Sequence, residues 1–349
     1  MASLLLAQGI NKRFGGVAAL SAARFELARG EVHALMGENG AGKSTLARIL
    51  AGSIPADGGE ILLEGQAISP ANPLDAQRLG IGIVYQELDL FPHLTVGENL
   101  VIGNLRFEEG ALVDRQAIDV FCRPFLRQVG LNVDTGAWAA SLSIAQQQLL
   151  VIARALSMHC RVLLMDEPTS ALSEDAAERL FELMALLKSE GVSIVYVSHK
   201  MDEIFRLCDR VTVLRDGETI GTREVAATDR AELIRMMVGR NIEATAPRWP
   251  RSSSGPVALS VAHLTTRKLR DVSFDLYRGE VLGIAGLVGA GRSALGAALF
   301  GLERIQDGTL QLKAKPFRPT GPAQALAAGM GLVPEDRKLQ GLMLQMSVK

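Results

Sequence analysis

Short, nearly continuous apolar runs punctuate the first two hundred residues: "EVHALM" (31–36), "GIVYQ" (82–86), "RVLLMD" (161–166) and "SIVYVS" (193–198). Runs of this length without polar alternation predict strands covered on both faces, as in a parallel sheet. Between them, "STLARILAG" (44–52) and "AAERLFELMALLKSEG" (176–191) space their apolar residues three and four apart, the period of an amphipathic helix. Strand and helix in alternation predict an α/β core. The stretch 97–157 carries mostly helical periodicity and is expected to form an inserted helical lobe.

The pattern then repeats. At an offset of 249 residues, "GEVHALMGENGAGKSTLARILAG" (30–52) lies over "GEVLGIAGLVGAGRSALGAALFG" (279–301), with 11 of 23 positions identical. The approach segments "AARFELARGE" and "DVSFDLYRGE" match as well, and Glu335 falls opposite Gln86. Self-similarity over such a distance predicts a duplicated domain. Between the copies, "ATAPRWPRSSSGP" (244–256) lacks an apolar period and reads as a linker. The expected organisation is a complete first domain over 1–241, a linker over 242–256 and a second domain over 257–349. The second copy is less than half as long as the first, and its last residues, "MSVK", resemble "LTVG" (94–97) in mid-motif. The expectation is that it holds only the N-terminal part of a domain and that the chain is truncated.

Composition narrows the possibilities. At 349 residues, 48% hydrophobic and a net charge of −1, the chain can fill large cores and carries no overall basic field for nucleic acid or anionic lipid. Cys122, Cys160 and Cys208 are odd in number and widely separated, so buried reduced thiols are expected rather than disulfides or a metal site. No apolar stretch approaches the roughly 18 residues of a spanning helix. A soluble chain is expected, with any membrane role acting through a partner.

The chemistry concentrates in a few places. "GENGAGKS" (37–44) satisfies GxxxxGK[ST] between a predicted strand and a predicted helix. Gly37, Gly40 and Gly42 allow the backbone, including Asn39 and Ala41, to turn its amides toward phosphate, and the helix N-terminus at Ser44 and Thr45 adds positive potential. Lys43 can reach the β- and γ-phosphates, and Ser44 offers a hydroxyl to magnesium. Asp166 and Glu167 end an apolar strand: Asp166 is a candidate magnesium ligand and Glu167 a candidate base for the attacking water. His199 ends another strand and is a candidate γ-phosphate contact; Gln86, also at a strand end, could sense the metal and the water.

Together these segments resemble the ATP-binding cassette (ABC) ATPases. The resemblance implies an α/β P-loop ATPase cassette with an antiparallel β subdomain and a helical lobe, followed by a partial second cassette. It identifies "LSIAQQQLLVIARAL" (142–156) as a weakened form of the family's LSGGQ signature. Ser143 keeps its place there, while Ile144 and Ala145 stand where glycines are usual. Phe14 occupies the position of the adenine-stacking aromatic, with a buried edge-strand phenylalanine as the alternative. "SALS" (170–173) resembles the D-loop, and "LFPHLTVGENL" (90–100) lies where the family docks its membrane subunit.

In this family nucleotide is sandwiched between the phosphate loop of one cassette and the signature of the other. The resemblance therefore sets the altered loop, with Arg292 and Ser293, against the weakened signature at Ser143. That site is expected to hold nucleotide or serve structure rather than hydrolyse, since guanidinium does not copy an ammonium point charge. The intact loop needs a signature from the missing half of the second cassette or from another ATPase copy. "LVGAGR…VPEDRK" (287–292, 333–338) is similar to the ATPase subunits of bacterial monosaccharide importers. That similarity implies ATP and Mg2+ as cofactors, two membrane permease subunits, a sugar-binding protein outside, and a peripheral place on the cytoplasmic face of the membrane. A soluble tandem ATPase working on ribosomes or DNA is the alternative, although its usual long charged arm is replaced here by a short Pro/Ser linker. A non-hydrolytic ATP-binding remnant is the other.

Overall fold

Residues 3–28 fold into a long hairpin, β1 (Ser3–Phe14) and β2 (Val17–Ala28), which turns at Gly15 and Gly16, both at positive φ. The computed structural model describes residues 3–86, 89–103, 115–170, 172–239, 255–286, 289–334, 340–343 and 345–347. Two units emerge, Met1–Ala244 and Thr245–Lys349. Most of the expected linker, 242–254, lies outside the described residues, as do Leu287, Val288 and the Glu335–Lys338 portion of the second repeat.

The first unit continues with β3 (Val32–Met36), α1 (Lys43–Leu50), β4 (Gly58–Leu63), β5 (Gln66–Ile68), α2 (Pro73–Arg78), β6 (Ile81–Val84), α3 (Val96–Val101), α4 (Arg115–Gln128), α5 (Ile144–Ser157), β7 (Val162–Asp166), α6 (Glu174–Ser189), β8 (Ser193–Val197), α7 (Met201–Leu207), β9 (Arg210–Arg215), β10 (Glu218–Glu224) and α8 (Arg230–Val238). One sheet runs β10-β9-β3-β8-β7-β6, with every pair parallel except β9 with β10; an antiparallel sheet runs β2-β1-β4-β5.

The continuous apolar runs have the cause the sequence suggested. Along β7, Val162 and Leu164 pack with α1 and the antiparallel sheet, while Leu163 and Met165 pack with the helices on the other face. Successive β8 residues divide the same way, Val195 and Val197 against Ile194 and Tyr196. Both faces are covered, so no polar alternation survives. The expected lobe over 97–157 is present as α3, α4 and α5, and it packs as part of the same core. Threonine and serine start two of its helices: Thr95 with Glu98, and Ser143 with Gln146, close reciprocal capping boxes.

All three cysteines are free and buried. Burial pushes the Cys122 and Cys160 thiols up to about 12 and raises that of Cys208, so none is a ready thiolate. Among the described residues no helix is long and apolar enough to cross a membrane.

The second unit contains β11 (Val257–Thr265), β12 (Val272–Tyr277), α9 (Arg292–Leu299), β13 (Asp307–Leu312), β14 (Lys315–Pro316) and α10 (Pro322–Ala327). Its sheet, β12-β11-β13-β14, repeats the antiparallel order of the first unit around a small core including Leu259, Val261, Leu295 and Leu310. The counterpart of β3 behaves differently. Residues 281–285 form no strand, and Val281 is 98% exposed where its match Val32 is 2% exposed. β3 is held by ladders to β8 and β9 on its two sides. The described residues of the second unit contain no equivalents of those neighbours, so an apolar run with the same pattern stays unpaired.

Candidate nucleotide site

The carboxyl ends of β3, β6, β7 and β8 open along one edge of the parallel sheet, the place where α/β sheets take ligands. Each end delivers one part of the predicted constellation. From β3 the chain enters the loop 37–42, whose backbone depends on glycine at two points. Gly37 faces the Leu214 carbonyl at 2.3 Å from where a Cβ would sit; Gly42, at φ +100°, faces Leu20 Cδ2 and the Ala19 carbonyl at 2.6 and 2.7 Å. Gly40, at φ +86°, faces open space. The Ala41 amide donates to Glu38 O and the Ala41 carbonyl accepts from Gly217, which anchors the loop to the β9–β10 turn. Asn39 and Gly40 are exposed, and the amides of Lys43, Ser44 and Thr45 form the uncapped first turn of α1.

These geometries separate two substitutions. Gly42→Ala must relieve a backbone clash and a left-handed conformation, which costs about 1–3 kcal/mol from the conformation alone. It is expected to weaken nucleotide binding by tenfold or more in a fluorescent-nucleotide titration. Gly40→Ala carries only the conformational cost and is expected to lose less.

Lys43 is 6% exposed and donates to the carbonyls of Gly37 and Glu38, both at 2.9 Å. Burial pulls its ammonium below the usual lysine range, while the charges of Glu167 and Asp166 oppose that fall. Ser44 donates to Asp166 Oδ1 at 3.1 Å. Asp166, at the end of β7, is 2% exposed. Burial raises its carboxyl above the usual range and the neighbouring Glu167 adds to the rise, with the Ser44 hydrogen bond working against both.

Glu167 adopts φ +48°, and its amide donates to Val197 O at the end of β8. This turn sets its carboxylate between two partners: Gln86 Nε2 donates to Oε2 at 3.0 Å, and His199 Nδ1 lies 3.0 Å from Oε1. Three strand ends thus meet on one carboxylate.

Other sequence-selected residues are placed without direct contact to that cluster. Phe14 is 49% exposed at the end of β1, with Lys12 Nζ 5.6 Å from its ring centroid, so the buried edge-strand reading is corrected. Exposure follows from its position beside the Gly15–Gly16 turn, beyond the covered part of the hairpin. Ser143 caps α5 and is exposed; Ile144 follows it at the first helical position without a positive φ. Ser173 caps α6. In the second unit Gly289 and Gly291 reproduce the backbone of Gly40 and Gly42, at φ +86° and +93°. Arg292 and Ser293 line a cavity of about 1280 Å³ together with Lys268, Glu303 and Phe300.

A family model described as "ABC transporter" matches residues 20–170 and 269–347. The chain belongs to the ABC transporter ATPases. It is 49% identical over 346 residues to a ribose import ATP-binding protein of Chromobacterium violaceum, covering 98% of this chain and 68% of that one. It is 47% identical over 349 residues to a ribose import ATP-binding protein of Rubrobacter xylanophilus, covering 100% and 69%. A putative ribose/galactose/methyl galactoside import ATP-binding protein of Burkholderia ambifaria is 45% identical, over 100% and 68%. An ATP-binding cassette of an ABC transporter solved in its ADP conformation superposes with a TM-score of 0.60 at 25% identity, over 69% of this chain and 100% of that one.

Within this ABC cassette, motif reading missed Thr169, Tyr196, Lys200 and Glu203, which form a polar cluster beside His199, buried at Thr169 and Tyr196 and open to solvent at Lys200. A signal was available. Glu203 is an acid four residues after His199, in the first turn of α7, where its side chain faces back toward the strand ends.

Proposed function

We propose that the chain is the ATP-hydrolysing subunit of a monosaccharide importer, with catalysis at the first loop. One observation carries the catalytic part: Glu167 is held between Gln86 and His199, one residue beyond a buried aspartate that meets the loop serine. In this reading Lys43 exchanges its two carbonyl acceptors for phosphate oxygens, and the amides of 37–45, including Asn39, Ala41 and Thr45, line the phosphates. Phe14 stacks on adenine. Glu167 takes the proton of the attacking water, Gln86 orients that water, and His199 contacts the γ-phosphate.

The donor set fits magnesium. Asp166 is a buried carboxyl whose negative charge is opposed by burial and by neighbouring Glu167, the Ser44 hydroxyl adjoins it, and the Gln86 amide sits at the neighbouring strand end. A bound magnesium ion would neutralise phosphate charge. Asp166 and Ser44 would hold it, with Gln86 completing the set.

The relatives' names support sugar import as the work to which ATP is coupled, in a complex with two membrane permease subunits and, indirectly, a sugar-binding protein. The chain then sits peripherally at the cytoplasmic face of the membrane. Ser143 is read as a nucleotide contact of the first unit, and the Arg292–Ser293 loop as a site that retains nucleotide or supports structure rather than hydrolyses. The Lys43 loop pairs with a signature supplied by a further cassette.

Turnover in liposomes tests the coupling. Permease plus sugar-loaded binding protein is expected to stimulate ATP hydrolysis several-fold, and ribosomes are expected to have no effect. Stimulation by ribosomes with none from permease would refute the importer reading.

A further inference from the structure

One carboxylate outside the recognised motifs gathers four donors. Glu203 Oε1 accepts from Thr169 Oγ1 at 2.8 Å and pairs with Lys200 Nζ at 3.1 Å; Oε2 accepts from Tyr196 Oη at 2.7 Å and from Ser198 Oγ at 3.2 Å. Two oxygens offer about four lone-pair sites, so the acceptor capacity of the group is filled. The cluster is closed on itself as well. Lys200 Nζ donates to Thr169 Oγ1 at 3.0 Å, and the Lys200 amide donates to Ser198 Oγ at 3.0 Å.

The partners sit where they matter. Thr169 follows Glu167 by two residues, and Ser198 and Lys200 flank His199 on both sides. Glu203 belongs to α7, which contributes no motif residue, and its side chain is 11% exposed; Thr169, Tyr196 and Ser198 are 4%, 0% and 3% exposed. Burial opposes ionisation of Glu203, but the hydrogen bonds from Tyr196, Thr169 and Lys200 outweigh it and hold the carboxyl below its usual range. Lys200 is 44% exposed and closes the solvent side of the cluster, while the part formed by Thr169, Tyr196, Ser198 and Glu203 is out of water, where a satisfied network is rigid and costly to disturb by one atom.

The geometry points to Glu203 as a positioning residue for hydrolysis: it clamps the loop after β7 to the loop after β8 and thereby sets the Glu167–His199 contact. It touches neither the phosphate loop nor Lys43. Displacing a base by about 1 Å costs on the order of 100-fold in rate, whereas nucleotide binding through the loop is untouched. This role rests on the proposed roles of Glu167 and His199.

Glu203→Gln keeps the volume but puts an amide donor where an acceptor is needed, facing either Lys200 and Thr169 or Tyr196 and Ser198. In the full chain, ATP affinity is expected to stay within about twofold, and kcat to fall tenfold or more at unchanged KM. Glu203→Asp is expected to recover part of kcat, and Tyr196→Phe, which removes one donor that lies within β8 and leaves the Thr169, Ser198 and Lys200 contacts in place, to lose less than Glu203→Gln. A readout independent of turnover is the imidazole 15N spectrum. The chain has five histidines, and His199→Asn assigns the peak of interest. Glu203→Gln is expected to move the His199 signals toward those seen in Glu167→Gln. Unmoved His199 signals, or kcat and ATP affinity falling together with the melting temperature, would overturn the positioning role. A wild-type chain without turnover even when assembled with permease and a further cassette would count against the roles of Glu167 and His199, and the His199 spectrum would still decide whether Glu203 positions them.

Discussion

Lys43→Ala is expected to weaken ATP binding by about 100-fold or more, the largest effect on affinity of any single side chain here. In the free protein the ammonium donates to two neutral carbonyls, so only the difference between those and phosphate acceptors is lost. That difference is large because hydrogen bonds to a charged partner contribute about 1.5–3 kcal/mol each, and about 1.4 kcal/mol is tenfold in affinity. A second term adds to it. Asp166 and Glu167 are close enough to pull the Lys43 pKa upward, so removing the cation leaves two carboxylates facing a polyanion. Lys43→Arg restores charge without the compact shape and is expected to fall between the two. Isothermal titration with Mg-ATP measures all three.

Glu167→Gln is expected to separate binding from turnover. The amide occupies the same volume and the same left-handed backbone, which Gln adopts no better and no worse than Glu. Gln86 can still donate to its carbonyl oxygen, so the local packing survives. The proton acceptor does not. Loss of a general base costs about 10²–10⁴ in rate. The expected result is ATP affinity within about threefold of wild type with single-turnover hydrolysis down at least 100-fold. Affinity falling in step with rate would instead mark Glu167 as a binding residue.

Both substitutions concern residues that the sequence displayed openly, and the reason is physical. The loop, the acidic pair and His199 each follow an apolar run, and such runs announce strands covered on both faces. Knowing where the strands end locates the chemistry. What stayed hidden depends on distance between segments. Glu203 looks like an ordinary helix-start acid until β7 and β8 lie side by side and bring Thr169 and Tyr196 to it. The Lys43–carbonyl contacts arise from a loop curvature that Gly37 and Gly42 permit but that spacing does not reveal. The second repeat teaches the converse. Residues 281–285 carry the pattern of β3 almost unchanged, yet form no strand, since a pattern records what a segment needs and not whether its neighbours are present.

The role of Phe14 shows a similar boundary. Its aromatic identity was legible, but its exposure depends on where the β1–β2 hairpin turns relative to the sheet. Ser143 is more ambiguous by nature, because the hydroxyl that caps α5 is the one proposed to face a phosphate. A capping serine can do both when the partner oxygen approaches along the helix axis.

The central claim is that ATP is consumed at the Lys43 loop while the Arg292 loop stays passive. ATP turnover by the chain assembled with its permease, compared between Lys43→Ala and Arg292→Ala, tests it most directly. Turnover below about one-hundredth of wild type for the first, the rate equivalent of the lost charge-assisted contacts, and near wild type for the second is the expected result. Turnover that survives Lys43→Ala, or disappears with Arg292→Ala, would contradict it.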